Sequence, residues 1–111
     1  MSELDLTYLN EISGGDEEFI VDMIETFLEE TPKDVDDMKT QLEGQNWSEL
    51  GKVAHKLKSS IKMFGFETLK NQVLFLEQSG KSGDNIDVLP AKVSEFLAGL
   101  EGAMTELRAK L

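Results

Sequence analysis

The chain has 111 residues, enough to bury one core, but with no cysteine and a single histidine it cannot build a disulfide framework, a thiolate nucleophile or a multi-histidine metal site. Its 22 acidic residues outnumber its 11 basic ones, and the net charge of −11 opposes general-surface binding to nucleic acid or anionic lipid. No apolar run approaches the roughly 18 residues of a membrane span, and the N-terminus shows no secretory signal. One cytoplasmic, monomeric domain over residues 1–111 is expected.

The apolar spacing is helical nearly throughout, without strand alternation. Leu4, Leu6, Leu9 and Ile12 predict a short first helix, stopped by Gly14 and Gly15. Asp16 is placed to cap the next helix, whose buried stripe is Phe19, Ile20, Met23, Ile24 and Phe27. Thr31-Pro32 reads as a restart, with threonine as cap and proline in the first turn of a new helix. That helix buries Val35, Met38 and Leu42 and ends at Gly44. Asn46-Trp-Ser-Glu49 resembles a capping box and opens the helix that carries His55, which Gly65 ends in a left-handed conformation. Leu69, Val73 and Leu76 predict a further helix, followed by a loop over 79–85. Asp87 is placed to cap the last helix, with Pro90 in its first turn and Leu107 near its end. Short connections imply antiparallel neighbours. The expected fold is all-α, an antiparallel up-and-down four-helix bundle with a short extra N-terminal helix.

His55, the sole histidine, lies in the most basic stretch of an acidic chain. Residues 46–64 hold Lys52, Lys56, Lys58 and Lys62 against the one acid Glu49, a net of +3, whereas the remainder carries 7 basic and 21 acidic residues. At about 100° per residue, Leu50, Val53, Ala54, Leu57, Ile61 and Phe64 form the buried arc of this helix, and His55 lies about 150° from its centre. The imidazole is therefore expected in solvent. Gly51 and Ser48 precede it on the same face and Ser59 and Lys62 follow, with Lys58 beside it at i+3. This reads as a low platform that admits a large partner close to the imidazole, with no acid in it. Glycine inside a helix costs about 1 kcal/mol relative to alanine, and the direction of Gly51 favours docking over helix packing. Histidine is partly unprotonated and nucleophilic near neutral pH. Attack on phosphorus gives a phosphoramidate, with Lys58 in reach of the phosphoryl oxygens and Lys62 more distant. A convex helix face offers no pocket for acid–base catalysis.

Ala54-His55-Lys56-Leu57-Lys58-Ser59-Ser60, with Gly65 ten residues after the histidine, resembles the signature of histidine-containing phosphotransfer (HPt) domains, the helical-bundle carriers of multistep two-component phosphorelays. The resemblance implies that His55 accepts a phosphoryl group from a receiver-domain phospho-aspartate and passes it to another receiver, and that Lys58 stabilises the phosphate. It implies receiver domains of response regulators and of a hybrid histidine kinase as partners, and magnesium on the receiver only. No cofactor, no metal and no ATP site are expected on this chain, which makes it a transfer intermediate rather than an enzyme. Ser48, Gly51, Lys52, Ser59 and Lys62 are the expected docking residues, although Ser59 stands where the family usually has glycine. The alternative is a helical module that docks on a receiver without being phosphorylated. Gly14-Gly-Asp-Glu-Glu-Phe19 invites comparison with the diguanylate cyclase signature but carries one glutamate too many and runs straight into a helical stripe.

Overall fold

The computed structural model describes residues 3–111, and all regular structure among them is helical. A short helix α1 (Thr7–Ser13) precedes four long ones: α2 (Glu17–Glu43), α3 (Trp47–Met63), α4 (Glu67–Ser82) and α5 (Leu89–Arg108). None of them is long and apolar enough to cross a membrane.

Helix α2 spans both sides of Thr31-Pro32, so the expected restart does not occur. Proline lacks the N–H of one helical bond and costs about 3 kcal/mol in a helix interior. Burial outweighs that cost. Ile20, Ile24, Phe27, Thr31, Asp34 and Met38 recur every three or four residues and are all buried, an unbroken stripe across the proline. Twenty-seven residues at 1.5 Å each make a rod of about 40 Å, which sets the 43 Å long axis of the molecule.

Contacts fix the direction of neighbouring helices. Lys56 meets Asp34 and Phe64 meets Phe27, so α3 returns along α2. His55 meets Glu77 and Gly51 meets Gly80, so α4 returns along α3. Lys92 lies over Phe75 and Gln72 donates to Glu95, so α5 returns along α4. Leu50, Leu57, Ile61, Phe64, Leu76, Phe96 and Leu100 fill the core between them.

The ends of the helices follow the sequence in some places and depart from it in others. Asp16 caps α2, accepting from the N–H groups of Glu18 and Phe19. Gly65 closes α3 with φ +76, and its backbone lies against Asp5, whose N–H donates to the Phe64 carbonyl. Leu4 and Leu6 lie before α1 rather than in it and pack on the core, while Ile12 is exposed. The expected capping box does not form: the Asn46 amide donates to Gln41, and Glu49 pairs with Lys52. Asp87 does not cap α5, because one 3₁₀ turn (Ile86–Val88) precedes it, although Pro90 does sit in its first turn.

The expected loop over 79–85 is helical to Ser82, and its small residues are there for packing. Ser79 and Gly80 are buried, and a Cβ on Gly80 would lie 2.6 Å from the Trp47 carbonyl oxygen and 2.7 Å from Gly51 Cα. Gly51 is buried in the same contact: a Cβ there would meet the Glu77 carbonyl oxygen at 3.2 Å and Gly80 at 3.3 Å. The exposed platform position read for Gly51 is thus corrected, because it faces α4. Two facing glycines let the α3 and α4 backbones touch. We expect Gly80→Ala to destabilise the domain by about 1–3 kcal/mol through overpacking against backbone, read as a lower urea midpoint. Gly51→Ala is expected to destabilise it less, instead of stabilising the helix as an exposed site would. Unchanged midpoints in both variants would contradict this packing.

Candidate functional site

His55 sits mid-way along α3 with its side chain 61% exposed, in agreement with the arc drawn from the sequence. The expectation of a platform without an acid is overturned. Glu77, from the facing turn of α4, is buried to 5% side-chain exposure, and its Oε2 meets His55 Nδ1. Lys58 Nζ donates to Glu77 Oε1 at 2.7 Å, and Lys81 Nζ donates to Oε2 at 3.2 Å. One buried carboxylate thus holds an imidazole and two ammonium groups.

The cause is the Gly51–Gly80 contact one turn away. Residues 51 and 55 are successive turns of α3, and 80 and 77 successive turns of α4. Backbone contact at the glycines brings the carboxylate of Glu77 under the imidazole. A bulkier pair there would push the helices apart and move Glu77 away from Nδ1.

Burial by itself would raise the pKa of a carboxyl group. Here the hydrogen bond from Lys58 outweighs burial, and those from His55 and Lys81 add to it, so Glu77 is lowered from 4.5 to about 2. Glu77 is therefore ionised at neutral pH and can only accept hydrogen bonds. The ring nitrogen that faces it must carry the proton. In a neutral imidazole with Nδ1–H, Nε2 holds the free lone pair. Nε2 makes no hydrogen bond among the described residues, and the side chain that carries it is 61% exposed. The arrangement presents a single nucleophilic nitrogen, oriented from below, on a convex surface.

The remaining expected residues fall in different places. Ser48, Lys52, Ser59 and Lys62 are exposed on α3 as read from the sequence. Ser59 and Lys62 border a shallow cleft with Tyr8 and Met63, which places α1 beside the histidine face. Lys58 is close to His55, but its ammonium is engaged by Glu77. The basic stretch is also less cationic than its count suggests. Lys52 pairs with Glu49, and Lys56 pairs at 2.9 Å with the mostly buried Asp34, whose hydrogen bond raises the pKa of Lys56. Among the described residues, Lys62 is the one lysine of the four in no ion pair; Lys56 and Lys58 are paired with acids brought from α2 and α4, and Lys52 with Glu49 of its own helix.

Sequence reasoning missed Glu77 and Lys81. A signal was present: Glu77 follows Val73 by four residues on the apolar stripe of α4, an acid at an inward position. A hairpin of helices folded about Gly65 also sets residue 77 opposite residue 55.

Sign and size of the Glu77 effect can be tested. A depressed carboxyl pKa contributes stability that is fully present above the unfolded-state value of about 4.5 and is lost as pH falls toward 2. The full shift corresponds to roughly 3 kcal/mol. Urea stability of wild type minus that of Glu77→Gln should shrink by roughly 2 kcal/mol between pH 5 and pH 2.5. A difference independent of pH would show that Glu77 is not held ionised by its partners.

The Hpt domain model matches residues 22–110, from within α2 to the end of α5, and so includes every residue of the cluster. A search of curated proteins and a search of solved structures return no match.

Proposed function

This chain belongs to the Hpt domain family, whose role is phosphotransfer in two-component signalling, and from that membership we propose that it is a phosphohistidine carrier working through His55. It takes a phosphoryl group from the phospho-aspartate of one receiver domain and gives it to another, as a monomer with no ATP site. Its partners are receiver domains of response regulators and of a hybrid histidine kinase. We read its four long helices as an up-and-down bundle with α1 packed alongside. One observation carries the proposal: Nδ1 is tied to an ionised, buried carboxylate, so the exposed Nε2 is left as the nucleophile.

The step follows from that geometry. The Nε2 lone pair attacks phosphorus as the bond from phosphorus to the aspartyl oxygen breaks, and the electron pair leaves with the aspartate carboxylate. The ring then carries a phosphoryl group on Nε2 and a proton on Nδ1, and so is formally cationic. Glu77 faces that positive charge across the Nδ1 hydrogen bond and stabilises it without leaving its place. The protonated ring is also the better leaving group, so the same contact keeps the phosphoryl group transferable when a second receiver docks. Magnesium, where it acts, belongs to the receiver.

Lys58 contributes by holding Glu77 ionised and oriented. Docking residues are the exposed Ser48, Lys52, Ser59 and Lys62 around the imidazole, whereas Gly51 serves docking only indirectly, through the position of Glu77.

After mixing with a phosphorylated receiver, the wild type should carry acid-labile, base-stable phosphate, and His55→Gln none. Because His55 donates to a buried carboxylate, its replacement is expected to cost about 1 kcal/mol of stability, small enough to leave the fold intact by circular dichroism. Phosphate retained in His55→Gln would overturn the assignment. Receiver binding without phosphate on the wild type would favour the non-phosphorylated docking module.

Ser59→Glu places a bulky anion one turn from the imidazole. It is expected to slow transfer about tenfold or more by steric and like-charge exclusion of the phospho-receiver, with a urea midpoint close to wild type. Normal transfer by Ser59→Glu would remove that face of α3 from the docking surface.

A further inference from the structure

Two lysines hold Glu77 on unequal terms. Lys58 approaches Oε1 at 2.7 Å and is 29% exposed, and among the described residues it is the one donor to that oxygen. Lys81 approaches Oε2 at 3.2 Å and is 60% exposed, and it shares that oxygen with His55 Nδ1. If Lys58 left, Oε1 of a buried carboxylate would lose its partner. If Lys81 left, Oε2 would still accept from His55. A short, largely desolvated charged bond is harder to give up than a longer, exposed one.

A phosphoryl group on Nε2 adds a charge of about −1.5 to −2 beside this cluster. Some cation must turn toward it, or the new charge stands unneutralised next to Glu77. Oε2 meets Nδ1, across the ring from Nε2, so Lys81 is held on the same carboxylate as the imidazole by a flexible stem that can swing toward the phosphoryl group. The side chain that moves most readily is the one with the weaker hold and the freer stem.

We propose that Lys81 is the phosphoryl ligand of this domain: it rests on Glu77 while His55 is unmodified and turns to the phosphoryl oxygens once His55 is phosphorylated, while Lys58 stays on Glu77. The proposal rests on His55 as the phosphoacceptor and reassigns the phosphate role that the family resemblance gave to Lys58. Glu77 then serves as a holding site that keeps the second cation beside the nucleophile before the phosphoryl group arrives. A residue of α4, not of the histidine helix, answers the new charge, so phosphorylation changes the ion pairing between α3 and α4.

Phosphoramidate provides a test that needs no receiver. Its phosphorus–nitrogen bond breaks as Nε2 bonds to phosphorus, and the amide leaves as ammonia after taking up a proton. Wild type, Lys81→Ala, Lys81→Arg and Lys58→Ala are loaded in this way, and the ³¹P shift of the phosphohistidine is followed through the second phosphoryl ionisation, with the ring ¹⁵N shifts recorded alongside to separate it from loss of the Nδ1 proton. The titratable groups of the cluster are the His55 ring and Lys58 from α3 and Glu77 and Lys81 from α4. An ammonium on the phosphoryl oxygens favours the dianion and lowers the midpoint. Lys81→Ala should raise the midpoint by roughly half a pH unit or more, Lys81→Arg should keep it near wild type, and Lys58→Ala should move it less while lowering the urea midpoint more. A midpoint unchanged by Lys81→Ala overturns the proposal, as does a larger shift in Lys58→Ala than in Lys81→Ala. Should Lys58→Ala fail to fold, the Lys81 pair decides alone. Absence of a phosphohistidine signal in the wild type would instead overturn the reading of His55 itself, together with everything built on it.

Discussion

The buried carboxylate of Glu77 is the constraint on which the site depends. It fixes the proton of His55 on Nδ1, leaves the lone pair on Nε2, and holds two ammonium groups on the same carboxylate as the imidazole. None of this would be stable for an acid alone in the interior, because burial favours the neutral carboxylic acid. Its partners reverse that preference, and the strongest is Lys58. The site is therefore cooperative: the lysine keeps the carboxylate charged, and the charged carboxylate sets the tautomer of the histidine.

The fold supplies what this arrangement needs at the level of backbone. Gly51 and Gly80 let α3 and α4 touch one turn from the site, where a methyl group on Gly80 would meet backbone at 2.6–2.7 Å. Helices held farther apart would leave Glu77 short of the ring. Lys56 and Asp34 secure the other flank of α3 to α2. The histidine helix is thus gripped on both sides while its outer face stays open. That suits a carrier, which has to orient one atom firmly and offer it to large partners.

Much of the architecture was legible in the sequence, because apolar periodicity and glycine stops mark most helices directly. The exposure of His55 followed from angular arithmetic alone. The errors of helix continuity and burial share one cause. Polar or small residues at inward positions were taken as breaks or surface: Thr31, read as a cap before Pro32, hid the continuity of α2, and Ser79-Gly80 disguised the end of α4 as a loop. Gly51 was read as exposed because a helical wheel shows direction but not how near a second helix comes. The same blindness concealed Glu77, whose character depends on a partner 22 residues away. A single chain read in order reveals which side of a helix is apolar. It reveals cross-helix polar contacts only once the pairing register about Gly65 is known.

The central claim is that Glu77 sets the tautomer of His55, and imidazole nitrogen NMR tests it most directly. Two-bond proton–nitrogen correlations on uniformly ¹⁵N-labelled protein distinguish a protonated nitrogen from one that bears a lone pair. Above the pH at which the imidazole loses its second proton, wild type should show a protonated Nδ1 and a lone pair on Nε2, and Glu77→Gln should lose that strict preference. A wild-type imidazole protonated mainly on Nε2, or a tautomer population indifferent to Glu77, would contradict the account.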